Sequence, residues 1–241
     1  MTMVTRPLMS LHRRRSHVVI TPIMKAHIDH LVLAAPTLDK GVEYVEKLFG
    51  VKLPREQGGA HEGKGTHNVV VSLGDDVYLE ILALDPNAKE RNDPRWTWLD
   101  NKPKDFQPTL ETWAVRCKDV RAALEETDIK PGKVVEMQRG DMKWLITIAD
   151  DGSLKPAADG AFPFMIQWEN DSPHPVGSKL KDSGLHLKTL QVRSLDYQDI
   201  ISCLHGIGLH DHRLRVSLGE GPRLVATITT PDGERTLETH H

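Results

Sequence analysis

HIDHLVLAAPTLDKGVEYVEKLFGV, residues 27–51, is the stretch on which the reading of the fold turns. Its first part, the run from Ala26 to Ala35, is rich in β-type apolar residues and is stopped by Pro36. In the second part Leu38, Val42, Val45, Leu48 and Phe49 recur at helical spacing, and Gly50 stands where a helix commonly stops. A strand followed by a helix is predicted. On a regular strand Ile28, His30 and Val32 share one face, so His30 interrupts an apolar surface where an uncompensated polar group is costly.

Downstream, a glycine-rich loop from Gln57 to Gly65 leads into a strand from Thr66 to Leu73; Asp75-Asp76 then separates it from Val77 to Leu84, as in a hairpin. The residues alone therefore give a βαββ unit. The same grammar returns as strand Leu110 to Cys117, helix Val120 to Glu126, strand Met142 to Ala149 and strand Phe162 to Trp168. Aligning Leu38 with Val120 lays His30 on Thr112, which marks an internal repeat. A third copy is expected over strand Leu185 to Val192, helix Leu195 to Leu204 and strands around Arg213 to Leu218, Arg223 to Thr229 and Thr236 to Glu238. The units span about 26–84, 110–169 and 185–238 of a domain covering 25–241.

Residues 1–24 carry Arg6 and the run Arg13-Arg14-Arg15, and the first acidic residue is Asp29. A secretory signal needs a longer apolar segment than Val18-Val19-Ile20 before Thr21 and Pro22, and the low serine content weakens a transit peptide, so a disordered extension is expected. With 31 Lys plus Arg against 34 Asp plus Glu, the net charge of −3 recruits neither nucleic acid nor an anionic membrane. No apolar run is long enough to span a bilayer. The two cysteines, Cys117 and Cys203, have no partner at metal-ligand spacing and read as reduced thiols, which points to a cytoplasmic location.

The strand and helix at 27–51, the loop His61-Glu62-Gly63-Lys64-Gly65-Thr66-His67-Asn68 and the strand YLEILAL at 78–84 together resemble the glyoxalase-like part of the vicinal oxygen chelate superfamily. The resemblance implies an α+β fold of repeated βαβββ modules, whose curved mixed sheets enclose a cavity for a small molecule, and is compatible with a homodimer. It also implies a divalent metal ion chelating two neighbouring substrate oxygens, with a His on the first strand of a module and a Glu on its last as ligands. His30 and Glu80 stand at those places and are the expected catalytic pair. The strand faces agree, because Tyr78, Glu80 and Leu82 share one face.

In the second module Thr112 stands where His30 does, and the position of Glu80 is assigned to Gln167, a neutral amide and a poor transition-metal ligand. Gln167, or Glu169 two residues on and on the same face, would nevertheless complete the metal shell of His30 and Glu80. His61, Thr66 and Asn68 are expected at the cavity mouth, where glycines let backbone amides approach a ligand. Arg116 would bind a substrate carboxylate or pair with Glu169, the last of the substrate-binding candidates. Trp96 and Trp98, in the long connection from Asp85 to Pro108, anchor that crossover or wall the pocket. The expected function is a glyoxalase-like enzyme, a lyase, isomerase or dioxygenase, acting on a small oxygenated metabolite. The alternative is a non-catalytic protein that sequesters a small molecule in the same cavity, a reading the missing second-module ligands favour.

Overall fold

The structure, a computed structural model, describes residues 25–74, 76–89, 94–169, 174, 180–220 and 223–240. The expected extension over 1–24 lies outside the described residues. The first module runs β1 (His27–Ala34), α1 (Leu38–Phe49), β2 (Gly58–His61), β3 (Thr66–Ser72) and β4 (Tyr78–Leu84). The second runs β5 (Thr109–Arg116), α2 (Val120–Glu125), β6 (Lys133–Arg139), β7 (Met142–Ile148) and β8 (Phe164–Trp168). In both, the last strand returns beside the first and parallel to it, β4 on β1 and β8 on β5. The modules join through antiparallel β1 and β5 into one sheet of order β2-β3-β4-β1-β5-β8-β7-β6.

This mixed sheet curves until its two edges nearly meet. Arg139, at the end of β6, lies against Gly59 of β2 and donates from Nη1 to Asn68 Oδ1 of β3 at 2.9 Å. The edge strands β2 and β6 turn each βαββ reading into βαβββ. Neither shows the alternation that marks a half-buried strand: β2 is Gly-Gly-Ala-His inside the presumed loop, and β6 is largely polar. Gly58 has a positive φ of 139°, and a Cβ there would stand 2.1 Å from the Asn68 carbonyl oxygen, so β2 can hug β3 only with glycine.

Helix α1 is set by its N-cap, where Thr37 Oγ1 accepts from Lys40 N, and it buries Val42, Val45 and Phe49. At Gly41 a Cβ would lie 2.5 Å from Ile81 Cγ2, so glycine lets the helix lie close on β4. Asp119 caps α2 by accepting from Arg121 N and Ala122 N.

The third unit is β9 (His186–Ser194), α3 (Tyr197–Gly206), β10 (Leu214–Leu218), β11 (Arg223–Thr230) and β12 (Gly233–Glu238). It repeats the element order but not the wiring, because β10 rather than the last strand lies parallel beside β9, giving β10-β9-β11-β12. Its Leu187, Leu190, Val192, Ala226 and Ile228 share one core with Leu31, Leu33, Leu79, Leu110 and Trp113 of the large sheet. Leu187 N donates to Leu73 O at 2.9 Å, and Thr239 Oγ1 to Leu110 O at 2.7 Å. The third unit thus covers the outer face of the large sheet and leaves the inner face to the first two modules. No helix among the described residues is long and apolar enough to cross a membrane.

Strand β1 departs from regular geometry at its functional residue. Ile28 pairs with Val115 and His30 with Ala114, so Asp29 is the extra residue of a β-bulge. The bulge resets the alternation. Ile28 joins Leu31 and Leu33 in the outer core, whereas Val32 and Ala34 line the inner side. The expectation that Ile28 shares the face of His30 is corrected, and Asp29 and His30 instead turn toward each other.

Candidate functional site

On the inner face five buried polar side chains converge. His30 Nδ1 lies 2.6 Å from Asp29 Oδ1, and His30 Nε2 lies 3.5 Å from Glu80 Oε2. The other Glu80 oxygen accepts from Asn68 Nδ2 at 2.7 Å and lies 3.6 Å from His61 Nε2. Asp29, His30 and Glu80 are at most 4% exposed. The His30 ring stacks on Tyr78 at 4.5 Å and meets Phe164 edge-on at 5.3 Å.

Hydrogen bonding fixes the orientation of the Asn68 amide and, through it, the His61 tautomer. Asn68 Oδ1 accepts from Gly59 N and from Arg139 Nη1, so its Nδ2 faces Glu80 and His61. An amide nitrogen only donates, so His61 Nε2 accepts at 3.2 Å, and the ring proton sits on Nδ1, 2.9 Å from Thr66 Oγ1. His61 is thereby held neutral, in keeping with a pKa that burial lowers more than the Glu80 charge raises.

His30 is the opposite case. Burial by itself would lower its pKa, but hydrogen bonds and charges from Asp29 and Glu80 outweigh burial and raise it to about 9. Burial likewise works against ionised Glu80, yet the hydrogen bond and charge of His30, with the hydrogen bond from Asn68, bring its carboxyl down to about 2. Asp29, despite complete burial, is held well below the usual carboxylate range by His174 and His30. Its Oδ2 lies 3.0 Å from His174 Nε2 and accepts from Trp168 Nε1 at 3.0 Å. The centre is a buried imidazolium between two carboxylates.

The expected residues divide into two groups. His30, Glu80, His61, Thr66 and Asn68 come together as described. Arg116 instead braces the bulge, donating from Nη1 to Ile28 O and Asp76 O, and it approaches Asp29 Oδ2 at 3.9 Å. With Glu169 it lines an outer cleft that also contains Lys25, Lys118 and His174. Gln167 is on the far face of β8, where its Oε1 accepts from Val120 N at the start of α2. Strand pairing explains that placement: Val32 pairs with Glu80 and Ala114 with Phe164, so the second-module counterpart of Glu80 is Phe164. Counting along the chain misses this register because the connection from β7 to β8 differs in length from that between β3 and β4. Asp29, Tyr78, Arg139, Phe164, Trp168 and His174 were not singled out for the site by sequence. Only Asp29 left a signal, as a second consecutive polar residue in an apolar strand.

Two chambers share the inner face. The polar one is lined by His30, His61, Asn68, Glu80, Arg139 and Trp168 among others. The apolar one is lined by residues including Val32, Leu82, Leu154, Phe162 and Phe164 and is partly open to solvent. Trp96 and Ile146 line both.

The donor set does not fit the divalent ion that the resemblance implied. Thr112 and Phe164 occupy the second-module positions, Thr112 Oγ1 points to Gly160 O, and Gln167 caps a helix outside the cavity. Both His30 nitrogens face carboxylates, and Asn68 holds the Glu80 oxygen nearest His61. Among the described residues no group of three or more His, Cys, Asp or Glu is arranged to hold a metal ion.

The glyoxalase-like domain model matches residues 28–207. No curated protein matches the chain. Among solved structures, a hypothetical protein from Staphylococcus aureus superposes with a TM-score of 0.51 at 17% identity, over 89% of this chain and 85% of that one. Methylmalonyl-CoA epimerase from Mycobacterium tuberculosis matches with a TM-score of 0.40 at 16% identity, over 67% of this chain and 98% of that one. Its Streptomyces coelicolor counterpart, in complex with 2-nitronate-propionyl-CoA, matches with a TM-score of 0.40 at 18% identity, over 61% and 96%. At 17% identity the likeness to the Staphylococcus aureus protein is one of fold. Because the family model covers most of the sequence, from β1 to the end of α3, the chain belongs to the glyoxalase-like domain family.

Proposed function

We propose that this protein is an enzyme that moves a proton on a small, uncharged, oxygenated metabolite, using His30 and Glu80. The observation that carries the reading is the buried pair itself: an acid, His30 Nε2–H, and a base, Glu80 Oε2, lie 3.5 Å apart and open onto one cavity. At that separation their mutual hydrogen bond is weak, so a substrate carbonyl oxygen can take the His30 proton donor for itself. Glu80 Oε2 then faces the carbon beside that carbonyl and removes its proton, while the imidazolium stabilises the resulting enolate. Parting Glu80 from His30 also removes the partner that depresses its carboxyl, which makes the base stronger when it is needed.

Asp29 keeps His30 charged and fixes which nitrogen faces the substrate, and Asn68 fixes which Glu80 oxygen does. His61 and Thr66 act by holding Asn68. The positive charge of His30 is already matched by two carboxylates, so a neutral head group suits the site better than an acid. The free thiols Cys117 and Cys203 fit a reducing, cytoplasmic compartment.

The test is exchange of the proton beside a carbonyl. α-Hydroxy ketones, α-keto aldehydes and lactones would be incubated with the protein in deuterium oxide and followed by proton NMR. Deuterium incorporation by wild type, lost in Glu80→Gln and reduced in His30→Gln, is the expected result. A ligand that binds without exchange, across the whole panel, overturns the enzymatic reading in favour of sequestration, which Thr112 and Phe164 in the second module support.

A further inference from the structure

We infer that the apolar chamber beside the polar site is a substrate subsite, recognising an apolar tail together with a second oxygen that meets Thr97 and Trp96. The inference rests on the reading that the polar chamber holds an oxygenated head group, and it names the rest of that molecule. Trp96 joins the two chambers. Its ring stacks on His61 at 5.2 Å and 22°, and it lines both spaces. Phe164, edge-on to His30, is also a wall of the apolar chamber.

The crossover segment that carries Trp96 is built at a cost. Thr97 and Trp98 both adopt left-handed backbone, with φ of 54° and 53°, a conformation that β-branched and bulky side chains rarely take. Several contacts hold it there. Arg95 Nε donates to Gly65 O, Trp98 N donates to Gly152 O, and Trp98 Nε1 donates to Asp151 O. The conformation turns Thr97 inward, 4% exposed, to line the chamber.

Despite this bracing, two polar atoms beside the chamber lack hydrogen-bond partners among the described residues: Thr97 Oγ1 and Trp96 Nε1. Buried polar groups of folded proteins are nearly always paired, so two unpaired atoms on consecutive residues of one strained segment, both lining the chamber, point to a ligand that pairs them. Trp96 Nε1 can only donate and Thr97 Oγ1 can do either, so the matching group is an acceptor oxygen, such as a carbonyl, ether or hydroxyl. The surrounding Val32, Leu82, Ile146, Leu154 and Phe162 suit an alkyl or aryl body. The substrate class is therefore a neutral amphipathic molecule with oxygen at its reacting head and another oxygen along its apolar tail.

The test uses the full chain and a binding measurement that needs no turnover. γ-Lactones from γ-butyrolactone to γ-octalactone, with and without an ether oxygen in the tail, would be titrated by isothermal calorimetry into wild type, Thr97→Val and Trp96→Phe. In wild type, affinity rises by about fourfold per added methylene until the chamber is filled. Both variants bind the ether-bearing lactones about three- to tenfold more weakly and the plain ones equally well. Thr97→Val also melts at or above the wild-type temperature, since it removes an unpaired buried hydroxyl, whereas a structural hydroxyl would give a lower melting point.

Affinity that does not change with tail length, or equal losses for both lactone types, overturns the subsite. The wild-type series decides the matter even if a variant does not fold. Binding that depends on tail length without deuterium exchange upholds the subsite and sinks the enzymatic reading. Exchange with a flat tail-length series does the reverse.

Discussion

Raising the pH from 6.5 to 9 should destabilise the protein by an amount that follows from His30 alone. The imidazole has an ordinary pKa of 6.5 and is held at about 9 in the fold, because Asp29 and Glu80 outweigh its burial. A group whose folded pKa lies above its unfolded value contributes stability that is complete below the unfolded pKa and is lost as pH rises through the folded one. Between those limits the loss is about 1.4 kcal/mol per pH unit, or about 3 kcal/mol in all. For a chain of this length that lowers the melting temperature by roughly 6–12 °C. The acid side runs the other way: Glu80, brought down to about 2 from an ordinary 4.5, contributes stability present above 4.5 and lost as pH falls toward 2. Because both flanks report the same His30–Glu80 interaction, their energies are not added. Urea unfolding at half-unit steps of pH would measure the curve, and nitrogen-15 NMR of the imidazoles would identify the titrating ring. Constant stability from pH 6.5 to 9, or a His30 ring that titrates near 6.5, would refute the imidazolium between two carboxylates.

Three further outcomes test the supports of the site. Asn68→Asp places a second carboxylate where an amide donates to Glu80 at 2.7 Å, so one of the two must take up a proton. Stability at pH 7 should fall by about 2–4 kcal/mol and recover partly toward pH 5, read by urea unfolding. Gly58→Ala puts a methyl group against the Asn68 carbonyl in a backbone conformation alanine rarely adopts, and should cost about 1–3 kcal/mol in a melt while also slowing deuterium exchange. Trp168→Phe removes the indole donor to Asp29 and should cost about 1.5–3 kcal/mol, with the His30 titration shifted in the NMR spectrum.

The fold was legible where burial imposes a period. Strand β1, helix α1 and strands β3 and β4 carry enough apolar residues at spacings of two or 3.6 to be found from the chain itself. The edge strands β2 and β6 were not, because one face of an edge strand meets solvent and β2 is half glycine. The third unit repeated the element order, but order does not encode pairing, and only the structure reveals that β10 took the place beside β9. Gln167 shows the same limit at the level of a residue. Its separation along the chain from Thr112 says little about register when a long connection intervenes, and β8 pairs so that Phe164 faces His30.

Within the site, His30 and Glu80 were visible because each interrupts an apolar strand, but what makes them chemically distinctive lies in Asp29. In a regular strand Asp29 would point away from His30, into the outer core among Leu31, Leu33 and Trp113, where an ionised carboxylate is untenable. The bulge resolves that conflict by placing the extra residue on the inner side, where His174, Trp168 and His30 surround its oxygens. The same irregularity lets Ile28 fill the outer core. One inserted residue thus satisfies the packing of one face and the charge of the other. Restoring regular alternation would oblige the chain to give up either the buried Ile28 or the charged His30, which ties the strand's distortion directly to the chemistry proposed for it.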